Sequence, residues 1–539
     1  MTTAVPGLIQ TAMTAYQSGD WGRAAQACEA VLRQNANEPS ALLMLGAIRA
    51  QSGDGAAAIV LLERARNLAP RDVNVLTNLG AAYRSLGRLG DARAVLEMAR
   101  DVDRRFAPAL YNLGNTLMDL GDRAGAKAAY ERVLILQPNY AEAAAHLGDI
   151  AEKEHRLEDA IRLTERALSL APGHVTASLA RARVEIRHKD YAAALLRLEK
   201  VQANENLSLV NRAVAEGLIG QASEKLGDFG RAFSSFKTAN KILFELNAPK
   251  FAADRGPTSL ETIKRLLDFT QNTRPETWSS APLDAAADPV FLIGFPRSGT
   301  TLLDQVLASH PSVVTLEERD NLFNTCASLV MGSNALERLV NLDANEIESY
   351  RAAYWSLVDR ATGARKPGNV FIDKMPLNTI LLPVIYRLFP NARILFAVRD
   401  PRDVVVSCFQ QRFGMNAAMY QLLQLDTTVR YYDAVMRLGR ASRDKFPLRV
   451  YELRYEALIS DFDGTVKDAL SFLGLEWDEA VRNYAQTARQ RIIATPSAPQ
   501  VVEPLYASSQ GKWRNYAKEL GPYLPALKPW VEAYGYAEG

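Results

Sequence analysis

Histidine and cysteine are scarce in this chain, at five and three residues of 539. Cys28, Cys326 and Cys408 lie far apart and form no CxxC pair. Neither a disulfide framework nor a zinc site follows, and a reducing compartment is expected. His146, His155, His174 and His188 stand in the N-terminal half without mutual metal-ligand spacing, so with Cys28 they are read as packing or surface residues. No sign of charge dominates: 63 Lys plus Arg face 61 Asp plus Glu. That balance excludes the global field that draws a protein onto nucleic acid or an anionic membrane, so any anion site has to be local. No run approaches the roughly 20 apolar residues that span a bilayer. The opening MTTAVPGLIQTAM also lacks a basic n-region. A cytoplasmic protein with no membrane or nucleic-acid partner is expected. The length exceeds the roughly 250–300 residues at which one core stops growing, so two or three domains are expected.

What the chain does have is a period. Leu-Gly recurs as Leu45-Gly46, Leu79-Gly80, Leu113-Gly114 and Leu147-Gly148, 34 residues apart each time. Twelve positions after the Gly slot come Ala24, Ala58, Ala92, Ala126, Ala160 and Ala194. A turn glycine keeps step at Gly19, Gly53, Gly87 and Gly121, and Pro70, Pro138 and Pro172 follow whole multiples of the period. Two helices per unit, closely packed at small residues and joined at a glycine turn, account for this pattern. It resembles the tetratricopeptide repeat over about residues 8 to 205, with Ala12 and Ala182 in the Gly slot of the end units. The register returns at Gly220, Gly227, Ala232 and Ala239, giving about seven units and an all-α array over 1–245. Stacked units of this kind form a superhelix whose groove often binds an extended peptide, so a peptide or protein partner is expected there. The alternatives are that the array only solubilises the rest of the chain or pairs two copies as a homodimer. Residues 246–288 mix turn formers with one short apolar helix and read as a connector.

The third segment, 289–539, opens with PVFLIGFPRSGTTLLDQVLASHP. Val290 to Ile293 read as a buried strand and Thr300 to Ala308 as a helix. Gly294 and Gly299 stand five apart, as in a phosphate-binding GxxxxGK[ST] loop, so backbone N–H groups and the helix N-terminus can surround a phosphate. The loop lysine is missing. Thr300 and Thr301 occupy the Lys-Ser positions and the positive charge comes from Arg297, which argues against a magnesium-dependent nucleotide kinase or hydrolase. Arg297 and the hydroxyls of Ser298, Thr300 and Thr301 suit a terminal 5′-phosphate. FPRSGTTLL after a strand resembles the loop of the sulfotransferase superfamily, most closely its protein-tyrosine branch. The resemblance implies a doubly wound parallel α/β domain and a donor, 3′-phosphoadenosine 5′-phosphosulfate, that leaves as adenosine 3′,5′-bisphosphate. It implies no metal.

Further positions carry the resemblance. In RILFAVRDPRDVVVSCF, Arg399 sits at the C-terminal end of the strand Arg393 to Val398, where ligands of parallel sheets gather. With Ser407 it resembles the family's 3′-phosphate pair. Sulfuryl transfer to a hydroxyl needs a base for the acceptor proton and a cation near the leaving phosphate. This segment has one histidine, His310, read as a packing residue, so a carboxylate is the better base. After the strand Val313 to Leu316 come Glu317 and Glu318. Glu318 falls where the protein-tyrosine branch carries its catalytic glutamate, and Glu317 is held in reserve. Asp320 stands where that branch has an arginine, which sets the acceptor contacts apart. Lys374 in FIDKMPLN resembles the lysine on the leaving-group oxygen. Ser497, in TPSAPQVVEP, resembles the serine that contacts the sulfonate, with Lys512 and Trp513 in the closing segment. Tyr455 resembles a cofactor-contacting tyrosine. Trp477 is read as core. The expected activity is sulfation of an acceptor hydroxyl, a tyrosine of a peptide or protein; a glycan, lipid or small alcohol is the alternative.

Overall fold

The computed structural model describes residues 4–278, 288–363, 368–491 and 509–537. The chain divides into two compact units, 1–207 and 208–539. The first is a tetratricopeptide-repeat superhelix of six helix pairs, from Ala4–Gln17 to Tyr191–Gln202, each helix 12 to 14 residues long. Close approach explains the glycine slot: a Cβ on Gly114 would lie 2.6 Å from the Tyr130 ring of the partner helix. The turn slot holds a positive φ in every pair, and where glycine is absent His155 (60°) and Lys189 (63°) adopt it. The next position supplies an N-cap: Asp20, Asp54, Asp122 and Asp190 accept N–H bonds from the first turn of the following helix.

Among its described residues the second unit holds five parallel strands: β1 (Val290–Gly294), β2 (Val313–Glu317), β3 (Val370–Lys374), β4 (Arg393–Val398) and β5 (Arg449–Arg454). Their order is β2-β3-β1-β4-β5, with β1 central. Side chains alternate across the sheet, as the two-residue strand period requires. Phe291, Ile293, Ile394, Phe396 and Val398 enter a large aromatic core on one face. Val290, Leu292, Leu395 and Ala397 enter a smaller aliphatic core on the other. Burial on both faces is what makes β1 and β4 near-continuous apolar runs.

The helices Leu209–Lys225 and Phe229–Phe251, which the 34-residue register assigns to a seventh pair, lie in the second unit. Ala232 and Phe236 are buried in the aromatic core. Phe233 stacks on Phe409 at 5.4 Å, and buried Asn240 donates to the Phe409 carbonyl at 2.8 Å. The helix Leu260–Asn272 adds fully buried Ile263 and Leu266 to the same core. Among the described residues no helix is long and apolar enough to cross a membrane.

Candidate active site

The loop after β1 turns on two residues with φ > 0. Gly299 (95°) precedes the helix Thr300–Ala308, and a Cβ there would fall 2.6 Å from Cδ2 of Tyr455, so only glycine fits. Arg297 (71°) is a non-glycine residue in the left-handed region, a conformation that costs on the order of 1–2 kcal/mol. Its Nε donates to Ser407 Oγ at 3.0 Å, and its carbonyl accepts from Arg399 Nη1 at 3.1 Å. The two anticipated phosphate sites are therefore bonded to each other. Ser407 lies in the helix Pro401–Phe409, begun by Asp400, whose carboxylate caps the Arg402 N–H.

Arg399 lies over the Tyr455 ring, 4.9 Å from its centroid, and its Nη2 donates to the Ser509 carbonyl at 2.6 Å. The Tyr455 hydroxyl pairs with Ser509 Oγ at 2.7 Å. Arg399 Nε is buried with no hydrogen-bond partner among the described residues. An orphaned guanidinium N–H beside a helix N-terminus and a second arginine fits an anionic ligand.

Across the loop, Lys374 ends β3 fully buried. Its Nζ donates to Glu318 Oε1 at 2.8 Å, to Glu317 Oε1 at 3.0 Å and, more loosely, to Thr301 Oγ1 at 3.4 Å. Burial pushes this ammonium toward losing its proton, but Glu318, Glu317 and Asp304 outweigh it and hold its pKa above the usual lysine value. Glu318 takes φ = 43°, the second strained non-glycine of the site, while its N–H donates to the Lys374 carbonyl at 2.8 Å. The side chain of Glu318 is 32% exposed and that of Glu317 is 10%. Such strain at two adjoining loops is characteristic of sites where geometry is imposed for function.

A cavity of about 730 Å³ joins these groups. Arg297, Gly299, Thr300, Thr301, Glu318, Arg399, Ser407, Tyr455 and Lys512 line it. Ser298 is buried in the loop, and Lys374 stands behind Glu318 and Thr301 rather than in the lining. Ser497 lies outside the described residues. Asp320 lines the wall, so a carboxylate does occupy the position where the resemblance places an arginine. His310 accepts the Ser312 N–H on Nδ1, which assigns its proton to Nε2, 3.1 Å from the Glu476 carbonyl, and it does not reach the cavity. No group of three His, Cys, Asp or Glu among the described residues could hold a metal ion.

Sequence reasoning did not find the opposite wall. Phe251, Arg255, Pro257 and Thr258 come from the stretch read as connector, and Phe413, Gly414, Asn416, Ala417 and Met419 contribute from the segment beyond Ser407. No local motif marks these residues, because only tertiary packing of the preceding helix brings them to the sheet edge.

Residues 289–479 match the model of a sulfotransferase family. Tetratricopeptide-repeat models match 9–72, 49–114, 111–175 and 153–206. The chain thus carries a sulfotransferase-family domain behind tetratricopeptide repeats. It is similar to an uncharacterised protein of Aquifex aeolicus, 26% identical over 69% of this chain and 48% of that one. It is also similar to protein-tyrosine sulfotransferase 2 of Gallus gallus, 24% identical over 42% of this chain and 62% of that one. The chain therefore spans about half to two thirds of the length of these relatives. Among solved structures, a tetratricopeptide repeat protein from Parabacteroides merdae is 19% identical, covering 44% of this chain and 93% of that one, with a TM-score of 0.36.

Proposed function

We propose that this protein transfers a sulfuryl group from 3′-phosphoadenosine 5′-phosphosulfate to the hydroxyl of a tyrosine in a peptide or protein. The observation that carries the reading is a carboxylate, Glu318, held 2.8 Å from a buried ammonium, Lys374, at the edge of a cavity whose other wall carries Arg297 and Arg399. In this reading the helix N-terminus at Thr300, with Arg297, holds the 5′-phosphate, and Arg399 and Ser407 hold the 3′-phosphate.

Glu318 takes the acceptor proton as the hydroxyl oxygen attacks sulfur. The new oxygen–sulfur bond forms while the bond from sulfur to the phosphate oxygen breaks, and adenosine 3′,5′-bisphosphate leaves. Lys374 spends its three N–H groups on Glu317, Glu318 and Thr301. The 3.4 Å contact to Thr301 is the weakest, so it is the one exchanged for the departing oxygen. Glu317, largely buried, keeps the lysine charged and in place. Ser497 enters on resemblance alone, as a donor to the sulfonate. The wall formed by Phe251, Phe323, Leu377, Phe413 and Met419 is apolar, which favours a phenol over a glycan as the acceptor. Tetratricopeptide repeats generally mediate protein–protein contact, which favours a peptide or protein as its carrier.

The test uses labelled donor with tyrosine, serine and threonine peptides, small phenols and oligosaccharides. Sulfated tyrosine is the expected product, and Glu318→Gln should lower kcat at least about 100-fold with donor binding retained. Sulfated sugar without sulfated tyrosine would refute the acceptor assignment. Full activity of the Gln variant would refute the base.

A further inference from the structure

One buried polar cluster at the cavity is left unexplained by the transfer itself. Glu224 stands in the last turn of the helix Leu209–Lys225, far in sequence from every motif residue. Its side chain is 13% exposed, yet its carboxylate meets three donors. Lys512 Nζ approaches Oε1 at 2.6 Å, and Gln410 Nε2 and the Tyr516 hydroxyl reach Oε2 at 2.6 and 2.7 Å. Lys512 Nζ also donates to Gln410 Oε1 at 2.6 Å, which closes a ring of hydrogen bonds. Gln410 directly follows the helix bearing Ser407. Lys512 and Tyr516 belong to one short turn, Lys512–Tyr516, held to that helix by Asp403, which accepts from the Gly511 and Trp513 N–H groups at 2.7 and 2.8 Å.

The placement of Lys512 gives the cluster its meaning. Lys512 lines the cavity, and an ammonium has three N–H donors, two of which go to Glu224 and Gln410. Among the described residues nothing takes the third, which is left for an anion in the cavity. Resting on the donor reading above, we infer that Glu224 is a positioning residue for the nucleotide: it fixes Lys512 as a charged donor at the cavity wall and so makes the last helical pair part of the donor site. The charges around Lys512 agree. Burial, Lys225 on the Glu224 helix and Arg399 after β4 all push the Lys512 proton off; Glu224 opposes them, and Lys512 stands below its usual value even so. Tyr516, on the Lys512 turn, is held neutral by burial and by Glu224. Without the Glu224 charge, the ammonium would face two cations in a desolvated wall.

The experiment is calorimetric titration of the full chain with adenosine 3′,5′-bisphosphate between pH 6.5 and 9.5, for the unsubstituted protein, E224Q, K512M and the double variant. E224Q should bind about tenfold more weakly at pH 7.5 and lose further affinity as pH rises, at values where the unsubstituted protein still binds. K512M should be weak without that added pH dependence, and the double variant no weaker than K512M. In turnover, E224Q should raise the donor KM while kcat and the acceptor KM hold. Unchanged affinity and pH profile in E224Q, or a double variant weakened by the product of the single effects, overturns the proposal. Should E224Q not fold, E224D reads the same contact by withdrawing the carboxylate one methylene. Its donor KM should rise with kcat held, and an equal change in both or none in either overturns the proposal. No bisphosphate binding by the unsubstituted chain overturns the donor reading and this inference with it.

Discussion

At the residue scale, the site concentrates groups that folding alone would not favour. Arg297 and Glu318 hold left-handed backbone, and Lys374 is an ammonium at zero exposure. Immediately before it, Asp373 is also fully buried; Tyr354 donates to Oδ2 at 2.8 Å and Oδ1 has no partner among the described residues. Burial pushes its carboxyl up to about 7, with Tyr354 pulling the other way and Asp320 adding to the rise. The unfolded chain releases that proton near pH 4, so between roughly pH 4 and 7 the folded state binds more protons than the unfolded one. The contribution of Asp373 is therefore fully present below about pH 4 and lost as pH rises through 7, at up to about 1.4 kcal/mol per pH unit. Asp373→Asn should remove this slope, which urea midpoints from pH 4.5 to 8 would measure. Asp304, pushed up to about 6 by burial, adds a smaller slope that the variant leaves in place. Parallel curves for the two proteins would show that Asp373 is ionised in the folded state at these pH values.

At the scale of elements, the repeat unit keeps its conformation even where its residue type lapses. Lys189 occupies the turn slot at φ = 63° between the helices Val175–Arg187 and Tyr191–Gln202. A lysine pays for left-handed backbone where glycine does not, so Lys189→Gly should stabilise the first unit by about 0.5–1 kcal/mol despite the entropy cost of glycine. A fall in the denaturation midpoint would contradict this. The same contrast marks what the sequence made legible. The 34-residue period, the strand β4 at Arg393–Val398 and the helix Thr300–Ala308 follow from local patterns of small and apolar residues, because repeats and buried parallel strands write their packing into short windows. Arg297, Arg399, Ser407 and Tyr455 were singled out by their resemblance to a family, and the fold brings all four to the lining of one cavity. Glu224 and Phe251–Thr258 were not legible, since nothing within their own helix or turn requires them. Their role comes from what packs beside them, some 170 to 290 residues further along the chain.

At the scale of the whole molecule, the repeat register and the compact units disagree about where the second unit begins. Register extends the repeats to residue 245, while the second unit starts at Ser208. The contacts favour the earlier boundary. Phe236, Ile263 and Leu266 are buried in the core beneath the sheet. Gln421 donates to Asp254 at 3.0 Å, the Tyr431 hydroxyl donates to the Thr258 carbonyl at 2.9 Å, and Arg265 reaches the carbonyls of Val330 and Gly332. Three buried side chains of this size contribute roughly 5–9 kcal/mol, as much as the whole stability of many domains. We therefore propose that the catalytic domain comprises 208–539 rather than starting after the proline-containing connector. A chain beginning at Ser208 should unfold cooperatively and bind adenosine 3′,5′-bisphosphate as tightly as the full protein. A chain beginning near residue 275 should expose its core and bind none, because it lacks both Glu224 and the helices that close the aromatic face. Circular dichroism melts and titration of the two truncations against the full chain decide the matter. Equal folding and affinity from residue 275 onward would show that the seventh helical pair belongs to the repeats in function as well as in register.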